Sequence, residues 1–146
     1  MTIIFYFPDG VFVALHDITL DDVTNVADFP EFADRKRTQT LSTGKVYTGF
    51  FVSDFTLAEL KELRLHQRLN ASRTTLYDNL FQVPTFDEIV ANFQSKSGIY
   101  AELKQNGYFY DCCGFDMETM FLNALTKYGY DVQILDKYPA STFKDQ

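Results

Sequence analysis

The sequence predicts an α/β fold built on a parallel sheet, and three observations carry that expectation. Val11–Leu15 (VFVAL) is a short unbroken apolar run, the pattern of a strand buried on both faces. Gly98–Lys104 (GIYAELK) and Asp131–Leu135 (DVQIL) read as further strands. Segments of helical periodicity stand among them. The order is strand, long insertion, helices, strand, helix, strand, which is the logic of a βαβαβ unit. Roughly three such strands are too few to close a barrel.

Each element has its own signal. Ile3–Phe7 is apolar and β-prone, and Pro8-Asp9-Gly10 marks a turn. Val11–Leu15 then leads into His16-Asp17, a polar pair at the end of a strand where parallel α/β folds place their chemistry. Residues 17–55 show no sustained period, and a patternless stretch of that length is more often a functional loop or insertion. Within it Asp34-Arg-Lys-Arg37 reads as a solvated charge run. Thr56-Leu-Ala-Glu59 is a capping box that opens a helix, with Leu57, Leu60 and Leu63 at helical spacing. Thr85-Phe-Asp-Glu88 is a second, preceded by Pro84 and followed by the stripe Phe86, Ile89, Val90 and Phe93. Asp116 can cap a third helix with Met117, Met120, Phe121, Ala124 and Tyr128 on one face and Gly129 at C′.

The 146 residues suffice for one ordinary domain, and fifteen Phe and nine Tyr supply its core. The formal net charge of -7 disfavours a nucleic-acid partner, which wants a basic stripe. It is compatible with a divalent cation set between carboxylates and a phosphate ester. No apolar run approaches the roughly 18 residues of a membrane span. The N-terminus lacks a basic n-region and does not read as a signal peptide. Cys112 and Cys113 are adjacent and read as two thiols, since neighbouring cysteines rarely bridge and His16 and His66 do not stand at zinc-ligand spacing. Asn70-Ala71-Ser72 is a glycosylation sequon, a triplet common by chance.

Three residues could carry chemistry. His16 could serve as general acid or base, against the plainer reading of a loop histidine with ordinary hydrogen bonds. Glu102 and Lys104 stand two apart and so on one face of a strand. Glu102 could hold Mg²⁺ or Ca²⁺, and Lys104 could meet a phosphate oxygen as a point charge. The plainer reading of that pair is a salt bridge, and a hard cation wants more than one carboxylate. His66 reads as a surface histidine.

At His16 the residues become specific. Pro8-Asp-Gly-Val-Phe-Val-Ala-Leu-His16-Asp17 resembles the "T-K-D-G-x-L-V-x-x-H-D" strand of glycerophosphodiester phosphodiesterases, and the likeness continues from His16 to Ala27. Phe32–Thr38, Gly49-Phe-Phe, Asp54–Arg64 and Tyr77–Glu88 are similar to long-insertion members from bacteria and plants. Gly98–Lys104 matches the family's "G-I-Y-x-E-x-K". The resemblance runs from about residue 8 to 135 with the motifs in order.

The family fold is a TIM (β/α)₈ barrel of roughly 250 residues. The resemblance therefore implies an incomplete barrel, roughly its second to fourth strands, with the family insertion at approximately 17–83. It implies a glycerophosphodiester substrate, cleaved to glycerol 3-phosphate and an alcohol such as choline or ethanolamine. In the family a divalent metal, Mg²⁺ or Ca²⁺, is held by a Glu-x-Asp pair on the second strand and a Glu on the third, and two histidines act as acid and base. Carried over, His16 matches the second catalytic histidine, Glu102 the third-strand metal ligand and Lys104 the lysine near the phosphate. The departures are as plain. No His-Arg-Gly motif occurs, and Met1 and Ile3 stand where the Glu-x-Asp pair should fall. The expectation is a fragment that holds metal weakly and has little or no activity alone. The alternative is a degenerate, non-catalytic half-barrel acting as an interaction protein, with open sheet edges that invite self-association. Relatives are often exported, and the sequence leaves the compartment open.

Overall fold

A computed structural model describes residues 2–6, 10–68, 72–94, 96 and 100–130. Its central sheet has three strands: β1 (Thr2–Tyr6), β2 (Phe12–Ala14) and β5 (Ala101–Leu103), in the order β2-β1-β5. β1 and β5 are parallel, with Thr2 opposite Ala101, Ile3 opposite Glu102 and Ile4 opposite Leu103. β1 and β2 are antiparallel, with Ile4 opposite Ala14 and Tyr6 opposite Phe12. The all-parallel sheet expected from sequence is corrected here. A parallel partner needs a crossover of roughly a dozen residues or more, and only five residues separate β1 from β2. The VFVAL run is apolar for another reason. Phe12, Val13 and Leu15 are all buried, and the far edge of β2 is met by the chain returning from residue 83. Ala14 N donates to Pro84 O at 2.9 Å, and Val13 bridges Thr85. The strand read at 131–135 lies outside the described residues.

The patternless stretch 17–55 is ordered. It contains 3₁₀ turns at Val26–Asp28, Pro30–Arg35 and Val52–Asp54, and an antiparallel hairpin of β3 (Arg37–Thr40) and β4 (Val46–Gly49). Short turns leave no period in the sequence. The stretch is held by long-range backbone bonds instead: Leu20 N to Phe50 O and Val52 N to Ile18 O, each at 2.9 Å. The charge run at 34–37 lies at the surface, as read, and its three basic residues are paired there. Arg35 forms a two-pronged pair with Glu59 at 2.6 and 3.0 Å, Lys36 pairs with Asp21 at 2.9 Å, and Arg37 grips Asp54 at 2.6 and 3.0 Å. The guanidinium of Arg37 also lies 4.2 Å from the Phe51 ring centroid. Partners 15 to 24 residues away cannot be seen in a local charge pattern.

The helices follow their caps. α1 (Leu57–Glu62) and α2 (Phe86–Phe93) both begin with the expected capping box, Thr56 with Glu59 and Thr85 with Glu88. α2 buries Phe86 and Val90, whereas Phe93 is half exposed and falls off the predicted stripe. α4 (Met117–Lys127) is capped by Asp116, whose Oδ1 accepts from Thr119 N at 3.1 Å, and it ends at Gly129 with φ 72°. One helix was not expected. α3 (Asn106–Cys113) starts at Gln105 in a left-handed conformation with no side-chain cap, so it announces no beginning. Cys112 and Cys113, read as thiols, are bonded to each other at its C-terminal end. A single core joins these parts through Val13, Leu20, Phe51, Phe55, Leu60, Leu63, Phe86, Phe109 and Met117, all essentially inaccessible. Among the described residues no helix is long and apolar enough to cross a membrane.

Candidate functional site

His16 stands two residues beyond Ala14, where β2 has ended and the chain turns into the region of 3₁₀ turns. Its Nδ1 lies 2.8 Å from Asp17 Oδ1, and both side chains are about one-third exposed (34% each). A carboxylate only accepts, so Nδ1 is the donor in this bond. Nε2 is the other ring nitrogen, and no hydrogen bond to it is made among the described residues. The second oxygen of Asp17 faces Arg68 Nη1 at 3.8 Å. Sequence reasoning noticed Asp17 only as a neighbour and missed Arg68, which lies 51 positions further along the chain.

Glu102 lies on β5, and Lys104 follows the strand. Their side chains share a face as the spacing predicts, with Nζ 3.5 Å from Oε1, and both are partly exposed. The salt bridge is therefore present, and it leaves the outer faces of both groups open to solvent.

Sheet register relates the two sites. Ile4 pairs with Ala14 on one side and with Leu103 on the other. Moving along β1 from Ile4 toward Thr2, the antiparallel neighbour runs from Ala14 toward His16, and the parallel neighbour runs from Leu103 to Glu102 and Ala101. The register thus sets Ala14, where β2 ends, level with Leu103, so the chain that carries His16 leaves the sheet from one side of β1 while Glu102 and Lys104 lie on the other. In that register Ile3 pairs with Glu102. Among the described residues no three His, Cys, Asp or Glu side chains gather where a cation could be held. The donors among the described residues do not by themselves fit a divalent metal.

The described residues form an α/β domain with a carboxylate-bonded histidine just beyond one strand and a glutamate–lysine salt bridge on another. The Glycerophosphoryl diester phosphodiesterase family matches residues 8–144. Over 129 residues the chain is 43% identical to glycerophosphodiester phosphodiesterase GDPD6 of Arabidopsis thaliana, covering 84% of this chain and 34% of that protein. Over 140 residues it is 31% identical to a glycerophosphodiester phosphodiesterase of Haemophilus influenzae, covering 84% of this chain and 35% of that protein. The chain belongs to the glycerophosphoryl diester phosphodiesterase family, whose members are phosphoric diester hydrolases with a TIM-barrel fold. It spans about a third of the length of the curated relatives it matches.

Proposed function

We propose that this chain supplies part of the active site of a glycerophosphodiester phosphodiesterase, with His16 as an acid–base group, Lys104 facing the phosphate and Glu102 as the acidic residue beside it. In this reading residues 17–83 are an insertion between two strands of a partial barrel. The meeting of Ala14 with Pro84 supports that boundary. The observation that carries the proposal is the His16–Asp17 pair just beyond β2, in the same small sheet whose β5 carries the Glu102–Lys104 pair.

The chemistry follows from the atoms. Asp17 fixes the ring so that Nε2 can take a proton from an attacking water or return one to the departing alkoxide. Lys104 places a positive charge against the non-bridging oxygens of the diester, where negative charge builds as the bond to phosphorus forms. One histidine does not complete both transfers, and one carboxylate does not hold a cation. The isolated chain therefore binds its substrate better than it turns it over.

The test uses glycerophosphocholine with this chain. Release of glycerol 3-phosphate is expected to stay near the uncatalysed background, while ³¹P resonances of the ligand broaden on adding protein, and Lys104→Ala abolishes the broadening. Absence of any phosphate-ester binding would sink the proposal. A second reading is favoured by Ile3 opposite Glu102: a non-catalytic half-barrel that associates through its open sheet edges. It predicts a concentration-dependent dimer and no phosphate-ester binding, which sedimentation beside the same titration would separate.

A further inference from the structure

Asn106-Gly107 is the only asparagine–glycine link in the chain; the other five asparagines are followed by Val, Ala, Leu or Phe. The chemistry of that link is set by its atoms. The side-chain carbonyl carbon of an asparagine stands one ring closure from the next peptide nitrogen, and a glycine there puts no Cβ in the way. Gly107 is exposed, and a Cβ added to it would find only Ser42 Oγ, 4.0 Å away. Solvent therefore reaches the link, and no neighbour crowds it.

A well-secured helix would prevent that closure, because it fixes the backbone dihedrals that the ring must change. α3 is not secured at its start. α1, α2 and α4 each begin with a side-chain cap, and α3 has none. Gln105, which flanks its first residue, is left-handed with φ 58° and ψ 36°, a conformation that is costly for any residue with a Cβ. Gly107 is itself a poor helix residue, and its N–H belongs to the first turn, where N–H groups have no partner within the helix. Opening that turn relieves Gln105 and forfeits little. The amide of Asn106 is loosely held as well. Its Nδ2 donates to Glu118 Oε1 at 3.2 Å, an exposed bond, while Oδ1 is buried and accepts no hydrogen bond among the described residues.

We propose that Asn106 is a modification site, at which the chain deamidates itself through a succinimide. Gly107 N adds to Asn106 Cγ, the Cγ–Nδ2 bond breaks, and the side-chain nitrogen leaves as ammonia with the proton from Gly107. Water then opens the ring. Cleavage of the new N–Cγ bond leaves aspartate, and cleavage at the original peptide carbonyl leaves isoaspartate. No electrons are exchanged, and water is the sole co-reactant. Either product removes the amide that donates to Glu118 and adds a negative charge. The isoaspartyl product also adds a methylene to the main chain between Lys104 and Tyr108, whose hydroxyl stands against Ser53 and Arg37. The modification thus falls between β5 and the tie that holds α3.

The experiment ages the full chain in mildly alkaline buffer, digests it at intervals and maps the peptides by mass, with isoaspartate labelled by a protein isoaspartate methyltransferase. The Asn106 peptide should gain the mass of exchanging NH₂ for OH, with release of ammonia, before any other asparagine peptide does. Gln105→Gly, at ease in the left-handed region, should slow the reaction of the folded chain by roughly fivefold. In urea, where no turn has to open, that variant and the natural sequence should react alike. Gly107→Ala has room for its methyl group and should slow the reaction both folded and unfolded. An Asn106 peptide that stays intact while other asparagine peptides change overturns the proposal. So does a folded-state rate that ignores Gln105→Gly, or a reaction undiminished in Gly107→Ala.

Discussion

Glu59 joins two structures with one carboxylate. Its Oε2 accepts from Thr56 N at 2.8 Å to complete the cap of α1, and its two oxygens accept from Arg35 at 2.6 and 3.0 Å. The hydrogen bond from Arg35, helped by the Thr56 donors, lowers its pKa from 4.5 to about 2. A carboxyl depressed in the folded state adds stability that is full above its unfolded value and is lost as pH falls from about 5 toward 2. Glu59→Gln should thus cost about 1–2 kcal/mol at neutral pH and flatten the fall in stability across that acid window. Urea unfolding at several pH values reads this directly, and equal slopes for both proteins would refute it. Gly49 acts at the same scale through space. A Cβ there would overlap the Asp21 carboxylate, which accepts from Phe50 N at 2.8 Å and pairs with Lys36. Gly49→Ala should lose about 1–3 kcal/mol in chemical denaturation. Glu59 was legible as the capping-box partner of Thr56 but not as the partner of Arg35, and Gly49 was not legible, because a distant ion pair and a close approach depend on what the rest of the chain brings beside them. His16 and Glu102 drew attention in the sequence because they end apolar runs, but only the register of β1 relates them.

At the scale of elements, legibility followed local chemistry. α1, α2 and α4 were readable because their starts are written in adjacent side chains, Thr56, Thr85 and Asp116. Thr56→Ala and Thr85→Ala should each lower stability by about 1 kcal/mol, with Ser at either position restoring most of it. Thermal melts of the four variants check this, and an unchanged Ala variant would show that tertiary packing alone fixes the helix start. α3 and the β3–β4 hairpin were not readable, because both are held by distant partners. α3 presents Tyr108, whose hydroxyl is 2.7 Å from Ser53 Oγ and 3.3 Å from Arg37 Nη2. Tyr108 is buried and its ring lies against Phe51 and Phe109. Tyr108→Phe keeps the ring and removes the polar tie, so it should cost about 1 kcal/mol and raise amide exchange in α3 more than in α2. Uniform exchange across both helices would place the attachment of α3 in its apolar contacts instead.

For the whole molecule, the want of a cation-holding cluster among the described residues has a measurable sign. A ligand that binds the native state raises the melting temperature, and one that finds no site leaves it unmoved. Calcium or magnesium at about 5 mM should shift the midpoint of the natural sequence by less than about 1 °C. A calcium-dependent rise of several degrees would mean that the chain does hold a cation. The overall α/β class was legible in the sequence. The antiparallel turn-back of β2 was not, because an apolar run reports burial and says nothing of strand direction. That turn-back has an evolutionary corollary. Ala14 and Pro84 stand one hydrogen bond apart, so the backbone leaves and re-enters the sheet region at almost the same point. A stretch anchored at such a doorway can lengthen, shorten or be exchanged between lineages without shifting the strand before it or the helix after it, because loop closure grows costlier only slowly with length. Residues 15–83 carry their own buried aromatics and their own ion pairs. They have the makings of a heritable cassette, a unit on which selection can act to change what the neighbouring chemistry receives.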